Sequence, residues 1–155
     1  MTLVAAQAKC SSAAVPEAIA DTQLIDLDAI GEHLSTIRLC ERDALAAMRR
    51  SLEEHGQLSA LVLFSSAERL EIIDGFKRMR AARLLGWTKL WVRVLAVSSI
   101  DAKLHLRELH AGRGLTELEE AWLVRSLHRE DHLSLPDISV RLSRHRSCVW
   151  RRLML

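Results

Sequence analysis

The stretch Ile72-Ile73-Asp74-Gly75-Phe76-Lys77-Arg78-Met79-Arg80-Ala81-Ala82-Arg83 turns from a β-type apolar run into a basic helical one at a single glycine. A strand ending at Asp74 and a helix opening at Phe76 place unsatisfied backbone N–H groups, and the positive end of the helix dipole, just past Gly75. Glycine lets a ligand approach the backbone there, and neighbouring cations complete an anion pocket. Lys77, Arg78 and Arg80 oppose the dipole, each at a cost of roughly 0.3–1 kcal/mol. Three of them in one place point to an anion, phosphate first, that offsets this cost. A solvated basic face on a surface helix is the competing explanation, and a lone glycine does not separate the two.

Upstream of this junction, residues 60–64 and 70–73 are short β-type runs, and the polar residues 65–69 between them predict a hairpin. Further back, Leu45, Met48 and Leu52 fall at helical spacing within residues 43–55, and Gly56 stands where a left-handed C-terminal residue is wanted. Residues 23–30 alternate apolar and acidic side chains for part of their length and fit a short strand and turn. Downstream, residues 76–85 form a helix closed by Gly86, with Phe76, Met79 and Ala82 on one stripe. Leu90, Val92, Val94 and Ala96 then alternate as a further strand within residues 87–97. From Ser98 onwards the pattern is helical, with cap signatures at Ser98-x-x-Asp101, Thr116-x-x-Glu119 and Ser134-x-x-Asp137. Pro136 sits just inside the last start, where its missing N–H does no harm. Strands first and helices last predict an α+β domain over residues 21–111, followed by an all-helical segment over 112–155.

A chain of 155 residues that is 49% hydrophobic can bury a core and holds one ordinary domain or two small ones. The net charge of +2 says little, but the last fifteen residues contain five arginines and no acid, which points to a polyanion partner. Cys10, Cys40 and Cys148 are widely spaced and odd in number, so a cytoplasmic chain with reduced thiols is expected. No run approaches the roughly 20 apolar residues of a membrane span, and the Ala-rich residues 1–20 lack the pattern of a secretory signal and read as a disordered tail. His128 and His132 are spaced as a helical metal pair, but Arg129 occupies the position where zinc proteases place Glu, and no third ligand is nearby. Trp87, Trp91, Trp122 and Trp150 are too dispersed for a base-stacking platform and are expected in core or interface packing.

The run Gly75-Phe76-Lys77-Arg78-Met79-Arg80-Ala81 resembles the GERRxRA box of the ParB N-terminal family. It keeps Gly75, Arg78, Arg80 and Ala81, replaces one Arg by Lys77, and departs at Phe76, where the family has Glu. The resemblance extends in order along most of the chain. Residues 50–56 resemble the helix and glycine before the family's G-x-x-Q-P-L loop, with Ser59 and Ala60 in place of Gln-Pro and Leu61 kept. Arg38 is what remains of a Q-P-R element, and Leu115-Thr116-Glu117-Leu118-Glu119-Glu120-Ala121 is similar to the L-x-P-x-E-x-A run.

This resemblance implies a ParB/sulfiredoxin-like small mixed sheet and a pocket for nucleotide phosphates, CTP in particular, with Mg²⁺. Gly75, Lys77, Arg78, Arg80, Arg38 and Gly56 would then bind the phosphates, and Glu108 is the one candidate metal ligand. In either register of the family's ENxxR motif the Asn is absent: an ungapped count puts Glu108-Leu109 over Glu-Asn, and a one-residue slide puts Leu109-His110 there. Leu offers a hard cation nothing and imidazole suits it poorly, so at most slow CTP hydrolysis is expected. Phe76 also stands where sulfiredoxin has its catalytic Cys, and related small-molecule kinases need a carboxylate base. Neither activity is expected, nor a metal nuclease, since the chain lacks a carboxylate cluster.

At the C-terminal end, residues 134–142 and 146–155 are two short helices around a turn at 143–145, with Ile138, Leu142, Val149 and Leu153 inward. They resemble the helix-turn-helix of ParB-type proteins, with Ser139 and Ser143 in place of the usual Ala and turn Gly. Arg144, Arg146, Ser147, Arg151 and Arg152 are the candidate DNA contacts. The chain is expected to be a truncated form that stops inside or just after its reading helix. The resemblance further implies a homodimer in a full-length form, a partner ATPase, and a bacterial nucleoid- or plasmid-associated location. The function it implies is DNA binding in plasmid or chromosome partitioning or mobile-element maintenance. The alternative is a nucleotide-independent transcriptional or transposition regulator whose pocket has decayed.

Overall fold

The computed structural model describes residues 22–67, 69–110 and 114–155. The expected disordered tail and the centre of the expected domain boundary, residues 111–113, lie outside the described residues. Strands β1 (Gln23–Asp26), β2 (Ile30–Gly31), β3 (Leu61–Ser65), β4 (Leu70–Asp74) and β5 (Lys89–Leu95) form one sheet in the order β1-β5-β3-β4-β2. β5 runs parallel to β3 and antiparallel to β1, while β4 is antiparallel to β3 and parallel to β2. Helices α1 (Arg42–His55) and α2 (Phe76–Leu84) pack against each other beside this sheet. α3 (Ser99–Leu109), α4 (Glu117–Arg129), α5 (Leu135–Arg141) and α6 (Arg146–Met154) complete the chain. The mixed α+β architecture is the one expected.

Local chemistry explains most of these boundaries. Ser98, Thr116 and Ser134 each accept a hydrogen bond from the backbone N–H three residues on, and Thr116 with Glu119 completes a reciprocal capping box. β3 and β4 form the hairpin, with a register shift between Val62 and Leu63 that falls opposite the end of β4. Bulges of this kind bend a strand and re-aim the side chains beside them. The short segment between β1 and α1 is where the sequence signals were too brief: β2 is two residues long and a 3-10 turn covers His33–Ile37.

The core is continuous. Leu61, Leu63, Ile72, Ile73, Met79, Leu90 and Val92 under the sheet belong to the same buried cluster as Leu106, Leu123, Leu127, Ile138, Leu142 and Val149 of the later helices. A polar clasp reinforces it. Lys103 of α3 is 1% exposed, and its Nζ lies 3.0 Å from Glu130 and 2.6 Å from Asp131. Ser126 also donates to Glu130. Ser143 in the α5–α6 turn takes φ 49, the left-handed region in which glycine is at home.

Candidate functional site

Gly75 caps α2 with φ 103, and a Cβ there would collide with the Leu61 side chain. Backbone and pocket therefore meet where only glycine fits. The space in front of it is a pocket of about 310 Å³ whose wall includes Arg38, Asp74, Lys77, Arg78, Arg80 and His110. Five of the six residues expected at phosphates are thus brought together. Gly56 is not; it ends α1 with φ 69 and has no place in this wall. A larger cleft of about 530 Å³ lies between Glu32, His33, Arg69 and Glu71. Its two carboxylates make it a poor receptor for phosphate.

Each arginine of the pocket already has an internal carboxylate near it. Arg78 donates from Nη1 to the Ala60 carbonyl at 3.2 Å and faces the Asp74 charge. Burial lowers the Arg78 guanidinium from its ordinary value, and Asp74 opposes that. Arg80 Nε lies 3.3 Å from Glu32, which Arg83 also engages. Arg38 Nη1 is 3.2 Å from Glu119, whose other contacts are the Leu39 N–H at 2.9 Å and the Thr116 cap. Lys77 makes no ion pair among the described residues. Protein carboxylates thus supply part of the compensation that these cations would otherwise take from an external anion.

Asp74 was not singled out from the sequence, and its position is informative. Its Oδ1 lies 3.1 Å from His110 Nε2, while His110 Nδ1 lies 2.7 Å from the Leu106 carbonyl. Burial alone would raise the Asp74 carboxyl, but the His110 hydrogen bond and the charges of His110 and Arg78 leave it below its ordinary value. It is the one carboxylate among the pocket's lining residues. Glu108 stays outside this wall: its side chain is 71% exposed and pairs with His105 at 3.2 Å. Among the described residues no group of three or more His, Cys, Asp or Glu could hold a metal ion. Mg²⁺ does not fit these residues, since the single acid is already engaged by the His110 ring and the Arg78 charge.

Glu119 is 4% exposed. Burial alone would raise its carboxyl, but the Thr116 and Leu39 N–H donors and the Arg38 charge hold it below its ordinary 4.5. A lowered folded value means its stabilisation is complete above that ordinary value and is lost as pH falls through the folded one. Glu119→Gln is expected to cost about 2 kcal/mol near pH 7, with urea midpoints of variant and parent converging as pH falls below the lowered folded value. A gap that stays constant with pH would show that the carboxylate charge is not what matters.

The C-terminal arginines divide into two groups. Glu120, 6% exposed, accepts from Arg144 Nε at 3.1 Å and Arg152 Nε at 3.0 Å, and Glu117 accepts from Arg152 Nη2 at 3.0 Å. These bonds to Glu120 and Glu117 hold Arg152 above its ordinary value. Arg144 and Arg152, expected as DNA contacts, are paired with acids of α4. Arg146, Ser147 and Arg151 are exposed on α6, and Arg146 and Arg151 have no acidic partner among the described residues. Trp150, expected in core or interface packing, is 52% exposed on the same helix and so lies outside the core.

Residues 11–108 match the ParB N-terminal domain model, more than half of the sequence. The chain belongs to the ParB N-terminal domain family. The nucleoid occlusion protein of Shouchella clausii (strain KSM-K16) is 27% identical over 134 residues, covering 86% of this chain and 47% of that protein. Stage 0 sporulation protein J of Bacillus subtilis (strain 168) is 30% identical over 114 residues, covering 73% and 40%. This ParB-family chain spans less than half the length of these curated relatives. In fold it is similar to the C-terminally truncated chromosome-partitioning protein ParB of Caulobacter crescentus complexed with CTP-gamma-S: TM-score 0.54, 20% identity, 85% of this chain and 76% of that one covered. Among the described residues no helix is long and apolar enough to cross a membrane.

Proposed function

We propose that this chain is a DNA-binding ParB-family module that holds the phosphates of a nucleotide, CTP first, in the Gly75 pocket. The observation that carries the reading is the pocket itself: a left-handed glycine at a helix N-terminus, ringed by Arg38, Lys77, Arg78 and Arg80. The fold neighbour holding CTP-gamma-S supports the choice of ligand. Lys77 and Arg78 hold the phosphates, and Arg38 and Arg80 join them by exchanging Glu119 and Glu32 for the ligand. With Mg²⁺ ligands lacking, the cations do this alone, so binding is independent of the metal. α5 and α6 act as a helix-turn-helix, with Arg146, Ser147 and Arg151 on DNA. The nucleoid occlusion relative and the chromosome-partitioning fold neighbour support nucleoid occlusion or chromosome partitioning as the process. A dimer and a partner ATPase belong to this proposal as expectations of the family resemblance. Residues 21–111 then form the nucleotide module and 112–155 the DNA-binding one.

A second reading, a nucleotide-independent DNA-binding regulator, is favoured by Phe76 in the pocket and by the carboxylates already seated on Arg38 and Arg80. Calorimetric titration with CTP, ATP, GTP and UTP, in magnesium and in chelator, separates the two. CTP binding of equal strength in both buffers is expected, weakened about tenfold or more by Arg78→Ala, the loss of one charge-assisted contact. Silence with all four nucleotides from folded protein would establish the second reading.

A further inference from the structure

α6 presents one continuous exposed face. At about 100° per residue, Arg146, Trp150, Met154, Ser147 and Arg151 succeed one another around the helix, while Val149, Arg152 and Leu153 turn inward. Trp150 occupies the middle of this face at 52% exposure, with Met154, 63% exposed, one turn on. Its indole N–H has no partner among the described residues, although a tryptophan N–H normally finds one when packed. The surroundings carry one sign of charge. Arg141, Arg146 and Arg151 are exposed without acidic partners among the described residues, and no acid occurs after Asp137 in the sequence. A polyanion with an apolar feature at its centre matches such a surface. The major groove of duplex DNA is one, because the thymine C5-methyl is an apolar group set between phosphate-bearing walls.

We infer that Trp150 is a specificity-determining residue that packs its indole on a thymine methyl in the major groove, with Arg146 and Arg151 on the flanking phosphates or base edges. This rests on the reading of α5 and α6 as a DNA-binding pair and adds to it a base preference. Double-stranded sites are selected from a random pool with the full 155-residue chain, and each thymine is then replaced in turn by uracil, which lacks only the methyl.

One or two uracil positions are expected to weaken binding roughly four-fold, the worth of one buried methyl-sized group. In Trp150→Ala, which removes a half-exposed ring and leaves the core intact, those positions become silent. Arg146→Ala instead keeps the uracil response and flattens the dependence on salt. A uracil response that survives in Trp150→Ala, or its absence in the parent, would overturn the assignment. So would self-association abolished by Trp150→Ala, which would give the face to a second copy of the chain. Failure of the folded protein to select any duplex would remove the DNA-binding reading itself, a result distinct from selection without a uracil response.

Discussion

Gly75→Ala is expected to lower stability by about 2–5 kcal/mol, the sum of two separable costs. A non-glycine residue in the left-handed region costs roughly 1–2 kcal/mol, and forcing a methyl against Leu61 adds about 1–3 kcal/mol of overpacking. For a chain of this size that is a fall of about 10 °C in thermal midpoint. Gly86→Ala is the internal control. Gly86 also has positive φ, 74, but nothing lies within 4 Å of its would-be Cβ. It should lose only the backbone cost, about 1–2 kcal/mol. Urea unfolding of the two variants measures the difference. Equal losses would mean that Leu61 moves aside freely and that the approach to Gly75 is not tight. Since Leu61 begins β3 next to the Ala60 carbonyl that Arg78 engages, its displacement should also disturb the pocket.

Removing Asp131 should be nearly as damaging, and the contrast with its partner is diagnostic. Asp131→Ala leaves the Lys103 ammonium, 1% exposed, with Glu130 as its remaining acid, and Glu130 is half exposed. Breaking a buried pair from one side costs about 3 kcal/mol when the charge left behind stays buried. Lys103→Met leaves only Glu130, 48% exposed, and Asp131, 12% exposed, both with access to water, and is expected to cost about 1 kcal/mol. Chemical denaturation of both variants at neutral pH gives the comparison. Equal losses would show that the clasp acts through packing of the lysine stem and not through its charge.

The parts of this structure that were legible in the sequence are those governed by neighbours in the chain. Ser98, Thr116 and Ser134 cap their helices through bonds three residues long. The glycine junction needed only the order strand, glycine, basic helix. What stayed hidden depends on partners far away. Glu119 was readable as a capping residue, but its bond to Leu39 spans 80 positions, and no local pattern announces it. The same holds for Glu120, whose bonds to Arg144 and Arg152 span 24 and 32 positions: charge is visible in a sequence and its pairing is not. Asp74 lay inside the decisive stretch, yet its role depends on His110, brought beside it by the packing of α3 on β4. The exposure of Trp150 is of the same kind: core and interface packing are alike in the sequence, and only the angular position on α6 shows that this ring faces outward.

During synthesis the two earliest strands wait longest for their places. Among the described residues β1 pairs only with β5 and β2 only with β4, so Gln23–Asp26 leaves the ribosome some sixty residues before Lys89–Leu95 can receive it. The entropy of closing such loops is met before the contacts that reward it. Until β5 arrives, β3 keeps one unpaired edge, and its four buried residues Leu61, Val62, Leu63 and Phe64 make that edge apolar. Unpaired apolar edges are where strands of different chains join. The nascent protein is thus most open to misassembly between the emergence of β3 and that of β5, and its oldest residues close the sheet last.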